Sequence, residues 1–163
     1  MRVILTFLFI VFVFWSGRAQ ATASFTASAT IIQPIGIKTL ANLNFAAIDA
    51  RDGGEIILSP QNERIAAGDA RLENGGEVTA ATFEVTGQQG FDFSLSLPSG
   101  PFFLSNGKEQ MIIKDFTSSI RNTGNFAAGS SVFKIGATLQ VEAQQAPGVY
   151  FTSTPLTITV NYN

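Results

Sequence analysis

The residue types that usually carry chemistry are sparse in this chain. It has no histidine and no cysteine, so nucleophile-base pairs built on imidazole or thiol, and most transition-metal sites, are outside its repertoire. Serine with lysine is chemically conceivable, but Lys38, Lys108, Lys114 and Lys134 sit in no motif. Two carboxylates facing each other across a cleft could hydrolyse a glycoside. Glu73 with Glu77 and Asp49 with Asp52 are the nearest pairs in sequence, yet both flank Gly-rich turns, where acidic residues serve solvation and turn formation. The stretch Asp49-Ala50-Arg51-Asp52-Gly53-Gly54-Glu55 offers oxygen ligands of the kind calcium prefers, without the spacing of an established calcium loop. It reads as a solvated turn. No catalytic residue, metal site or cofactor is expected, and the chain reads as a non-enzyme.

A glycan surface would want exposed aromatic platforms. The only tryptophan, Trp15, lies in the leader described next, and beyond it the chain holds Tyr150, Tyr162 and eleven phenylalanines. Most of those phenylalanines fall at core-facing positions of alternating strands, which disfavours a lectin.

The elements that would position any site begin after a targeting segment. Arg2 is a short basic start, Val3 to Trp15 is a mostly apolar run of thirteen residues, and Ala19-Gln20-Ala21 fits the small-x-small rule for cleavage after Ala21. The run falls short of the about 20 residues that cross a bilayer as a helix, so residues 1–21 read as a signal peptide, with an uncleaved anchor as the alternative. Removing Arg2 and Arg18 leaves eight basic against twelve acidic residues, a formal charge of about -4 with no basic cluster. Nucleic acid, anionic membrane and membrane insertion of the mature chain are not expected. Without cysteine, stability in an oxidising compartment must come from burial and sheet pairing.

From residue 22 onward the pattern is alternation. Ala23, Phe25, Ala27, Ala29 and Ile31 alternate with Ser24, Thr26, Ser28 and Thr30; residues 22–33 read as a flexible tail, as a first strand, or as a strand donated to a neighbour. A strand kinked near Thr39 to Asn42 follows Pro34, and Asp52-Gly53-Gly54 turns into a short strand over Glu55 to Ser59. Gln61 to Glu73 reads as a loop with at most a helical turn. Val78 to Thr86 alternates with a slip at Ala80-Ala81, the mark of a β-bulge; Phe91 to Leu97, Phe102 to Leu104 and Gln110 to Ser118 follow as strands, and Arg121 to Ser131 as a connection. Phe133, Ile135, Ala137, Leu139, Val141 and Ala143 share one parity, as do Leu156, Ile158, Val160 and Tyr162, with Ala146-Pro147-Gly148 between them. The two stretches read as a long antiparallel hairpin. The ribbon Leu156 to Asn163 has no charge, glycine or internal proline, so it lacks the devices that protect a free sheet edge and must be paired by this chain or by a partner. About seven to nine short strands with turn signals and no helical period predict an all-β, antiparallel, immunoglobulin-like β-sandwich over residues 34–163, with a closed barrel as the alternative.

The segments SATIIQPIGIKTLANLNFAAI, GGEIILSP, ATFEVTGQQG with LPSG, and FKIGATLQVEAQQAPGVYFTSTPLTITVNYN resemble a bacterial family catalogued as domain of unknown function 4402. More loosely, the early strand, LNFAAI, the Pro-Gly-Val-Tyr turn and the alternating ribbon ending near Tyr162 resemble pilus subunits of the chaperone-usher route, of the archaic type related to spore coat protein U. That second resemblance implies a sandwich lacking its final strand, completed by the N-terminal extension of a neighbour. Carried onto this chain, Phe25, Ala27, Ala29 and Ile31 would be donor side chains, and Leu156, Ile158, Val160 and Tyr162 would line the acceptor strand. The disulfide common in many pilins is absent, and the stretch before Ile35 is short for both a donor strand and the subunit's own first strand. The expectation is a secreted structural subunit, in the periplasm, on the outer surface or outside a Gram-negative cell, pairing with copies of itself or a periplasmic assembly chaperone. The alternative is a self-contained adhesion or glycan-binding module.

Overall fold

Alternation predicts which side of each strand is buried, and the longest strand shows it most clearly. In the computed structural model, which describes residues 20–163, Phe133, Ile135, Ala137, Leu139 and Val141 are all buried. The expected leader lies almost wholly outside the described residues. Residues 20–31 and residues 32–163 belong to separate units. The first carries no strand or helix, and Phe25 and Ile31 are exposed.

In the second unit the chain runs through β1 (Gly36–Ala41), β2 (Ile48–Asp49), β3 (Gly54–Leu58), β4 (Arg64–Ala67), β5 (Arg71–Leu72), β6 (Ala81–Thr86) and β7 (Asp92–Ser96). It continues through β8 (Phe102–Ser105), β9 (Gln110–Ser118), β10 (Thr123–Asn125), β11 (Ser130–Val141), β12 (Phe151–Thr152) and β13 (Thr159–Tyr162). All pairings are antiparallel. The large sheet has the order β1-β6-β11-β9-β8-β12, with β3 also on β11 and β4 on β3; a small sheet has the order β10-β7-β13, and β2 pairs β5.

β11 organises the large sheet. Its first half pairs β6 and its second half β3, while β9 runs along the other side. Where β3 ends and β6 takes over, the chains come so close that a Cβ on Gly136 would lie 2.0 Å from the Leu58 carbonyl oxygen, so only glycine fits. β9 carries a bulge opposite Ala137, with Asp115 at a φ of 50°. Side chains from both sheets meet in one cluster: Val85, Phe133 and Ile135 from the large sheet, Phe93 and Leu95 from the small one, with Phe126. The Phe93 and Phe126 rings lie 4.7 Å apart. A second cluster, with Phe45, Ile56, Leu58, Ile113, Leu139 and Val141, fills the other end. The predicted all-β antiparallel sandwich is the fold.

Several local expectations are corrected. Phe133 to Ala143 and Leu156 to Asn163 are not hairpin partners: both sides of β11 are occupied by other strands, and β13 pairs β7 in the other sheet. Gln61 to Glu73 holds β4 and β5, and the connection Arg121 to Ser131 holds β10; strands of two to four residues are too short to show a period. The bulge read at Ala80-Ala81 lies on the facing strand, where Leu40 of β1 is the extra residue opposite Thr82 and Phe83.

Candidate functional site

Three of the carboxylates that could have formed a site, Asp49, Asp52 and Glu55, are each held by a cation. The Asp49 carboxylate accepts from the Arg51 backbone N–H at 3.0 Å and from Nε at 2.7 Å, and Nη2 also reaches it. These bonds, side-chain before backbone, hold its pKa below the usual carboxylate range and raise that of Arg51. Asp52 meets Arg71 at 3.3 Å. Glu55 meets Lys114 Nζ at 2.7 Å, and this bond raises the lysine pKa. Glu73 and Glu77 are exposed. Among the described residues no group of three or more acidic residues is placed to hold a metal ion.

The architecture concentrates open structure along the C-terminal ribbon. Tyr150 and the residues before it form one wall of a cleft, β12 then ends the large sheet beside β8, and β13 ends the small sheet beside β7. Among the described residues, β13 therefore has a strand on one side only. From Ala143 to Asn163 the chain has no charged side chain. Leu156, Ile158, Val160 and Tyr162 are half-buried and point inward, whereas Thr157, Thr159 and Asn161 are exposed. Leu156 packs on the Phe45 cluster; the other three pack on the Phe93 cluster. The ribbon thus spans both halves of the core, with its end pinned by Tyr162. That hydroxyl donates to Gln33 O at 2.6 Å and accepts from the Gln88 N–H at 2.7 Å, and the ring stands edge-on to Phe91 and Phe126. Of the predicted donor residues, Phe25, Ala27, Ala29 and Ile31 are all exposed.

The cleft has a volume of about 830 Å³ and an apolar base of Leu104, Met111 and Leu139. One wall is Leu43 to Arg51 with Gly75 and Gly76, and the other is Gln144 to Tyr150. Within the first wall, 43–51 is tied to the 73–79 segment: Asn44 and Thr79 exchange both backbone bonds, and Ala47 N–H donates to Gly75 O at 3.0 Å. It bulges at Ala46, whose φ is 57° and whose N–H is taken by the Asn44 side chain. One backbone bond, Gln144 N–H to Ala50 O at 2.8 Å, joins the walls.

Sequence reasoning named the ribbon but missed the cleft and the exposed aromatics. Phe103 on β8 is 48% exposed, Phe151 on β12 is 69% exposed and neighbouring Val149 is 70% exposed, so these two phenylalanines are exceptions to the expectation that most of them face the core. Both strands lie at the margin of the large sheet, where one parity faces solvent.

Fold and site together define a cysteine-free, antiparallel β-sandwich domain whose neutral C-terminal strand β13 lies at a sheet edge. Within that class, the chain belongs to the family described as domain of unknown function (DUF4402), whose model matches residues 35–162. No curated protein matches the chain. No solved structure matches it.

Proposed function

We propose that this chain is an exported, non-enzymatic structural subunit of a bacterial surface or pilus-like assembly, which associates by β-strand addition. The observation that carries the reading is the uncharged ribbon from Leu156 to Tyr162: its strand β13 (Thr159–Tyr162) is paired, among the described residues, on one side only, and inward-facing Leu156, Ile158, Val160 and Tyr162 are only half-buried. Adding a strand there satisfies main-chain groups along the edge and covers alternate apolar side chains. The occupant is the Ala23 to Ile31 segment of another copy, with Phe25, Ala27, Ala29 and Ile31 turned inward, or an equivalent strand of an assembly chaperone. The lengths agree. Nine extended residues from Ala23 to Ile31 span roughly 30 Å, against roughly 23 Å for the seven from Leu156 to Tyr162. The looser likeness to archaic chaperone-usher subunits supports the same reading.

The test is the mass in solution of the purified protein with and without residues 22–30. The proposal expects association that the deletion abolishes; monomers before and after the deletion would sink it. One observation favours a second reading, an adhesion or glycan-binding module: the exposed Phe103 and Phe151 offer the aromatic surface such a module needs. Melting temperatures across a glycan panel separate the two readings, because only the second expects a ligand-dependent rise.

A further inference from the structure

One chain carries both the alternating segment Ala23 to Ile31 and the open edge of β13, so self-capping competes with association. The path that self-capping would take follows from where the strands end. β1 starts at Gly36, opposite Thr86, the last residue of β6. The Tyr162 hydroxyl reaches Gln33 O, just ahead of β1, and the Gln88 N–H, just past β6. β13 therefore finishes at the end of the sandwich where β1 begins, and the two strands run in opposite directions. A chain that capped itself would have to come up beside β13, parallel to it, and then reverse between Ile32 and Ile35 to enter β1.

That stretch is held so that it does not reverse. No turn or bend interrupts Ile32 to Ile35. Both backbone groups of Gln33 are taken: its N–H donates to Gln88 Oε1 at 3.2 Å, and its carbonyl accepts from the Tyr162 hydroxyl at 2.6 Å. Pro34 fixes its own φ and pushes Gln33 toward extended backbone. Ile35 packs on the Phe93 cluster, so the chain is fastened on both sides of the proline. Pro34 followed by Gly36 would suit a type I turn, but Gly36 is committed to β1, where it pairs Thr86. Upstream, Thr30, Ile31 and Ile32 are β-branched and resist the left-handed backbone of many tight turns, and no glycine, asparagine or aspartate occurs from Thr22 to Ile35.

We infer that the clamp of Gln33, Gln88 and Tyr162 denies the N-terminal extension to its own β13 and so reserves it for the β13 edge of a second copy. This rests on the strand-addition reading and names its partner. Neither half of the contact is charged, from Thr22 to Ile37 or from Leu156 to Asn163, so pairing them takes no ion out of water. The test gives the extension a hinge. Gly-Asn-Gly-Ser is inserted between Ile32 and Gln33, which leaves the clamp in place and spans up to about 13 Å; the same four residues placed before Thr22 are the control. Mass in solution and amide exchange are read at one concentration. Wild type and control are expected to associate. The hinge variant is expected to be a folded monomer in which alternate amides from Ala23 to Ile31 exchange at least about tenfold more slowly than in a free peptide of that sequence. Gln33→Gly with Pro34→Gly loosens the same stretch without adding length and should shift both readouts the same way. A hinge variant that associates as the wild type does overturns the inference and leaves strand addition standing. So does a wild-type monomer whose amides from Ala23 to Ile31 are already slowed, because the chain then caps itself despite the clamp. A folded hinge monomer with fast amides also overturns it. Monomers throughout, all with fast amides, sink strand addition and this inference together.

Discussion

Tyr162→Phe removes one oxygen atom and tests how the ribbon is anchored. The hydroxyl bonds Gln33 O at 2.6 Å and the Gln88 N–H at 2.7 Å, and the ring contacts with Phe91 and Phe126 would survive the substitution. Each hydrogen bond contributes about 0.5–1.5 kcal/mol net, and a partner left unpaired costs more the deeper it lies. The Gln88 bond is partly buried and the Gln33 bond exposed, which puts the total loss at about 2 kcal/mol. For a domain of this size that lowers Tm by about 7 °C. Urea unfolding followed by near-UV signals, with calorimetry, measures it. The m-value should stay constant, because the surface exposed on unfolding does not change. A midpoint within error of wild type would refute the claim that this hydroxyl pins β13 and, with it, the placement of the ribbon against residues 33 and 88.

Other consequences follow from the same geometry. Gly136→Ala should cost about 3 kcal/mol or prevent folding, because its Cβ would meet the Leu58 carbonyl oxygen at 2.0 Å; thermal melting decides it, and a neutral result would mean that β3 and β11 do not approach as described. The titrating pairs set opposite pH windows. The Lys114 pKa is raised by Glu55, so its contribution is complete below the usual lysine value of about 10.4 and is lost as pH rises through the folded value. The Asp49 pKa is lowered by Arg51, so its contribution is present above the usual aspartate value of about 3.9 and is lost as pH falls through the folded value. Melting curves of Lys114→Met and Asp49→Asn should therefore converge with wild type at the alkaline and acid ends respectively, and the effects should be small because each pair is only partly buried and keeps access to solvent.

Much of the sandwich was legible because period-two patterning reports burial on one side of a strand. Phe133 to Val141, Phe93 with Leu95, and the inward parity of Leu156 to Tyr162 all follow it. Pairing was not legible. Val141 and Leu156 are close in sequence with a Pro-Gly turn between them, but β11 has neighbours on both sides and the ribbon crosses to the other sheet. Nothing in local pattern distinguishes a hairpin from a crossing. The cleft was invisible for a related reason: Arg64 bonds the Phe45 and Ala47 carbonyls of its first wall, 19 and 17 residues earlier in the chain, and any residue at those positions would present the same carbonyl. The exposure of Phe103 and Phe151 was not legible because alternation gives parity and only the sheet margin says which parity meets water.

The absence of cysteine makes one experiment unusually clean. Ala27→Cys and Val160→Cys are prepared as separate single-cysteine chains, mixed, and oxidised mildly, with Lys38→Cys on β1 replacing Val160→Cys as the control. Strand addition at the free edge of β13 predicts a disulfide between the Ala27→Cys and Val160→Cys chains, and far less with the control. Mixed chains that stay uncoupled, or that couple equally through β1, would contradict the claim that this edge receives a strand from another molecule.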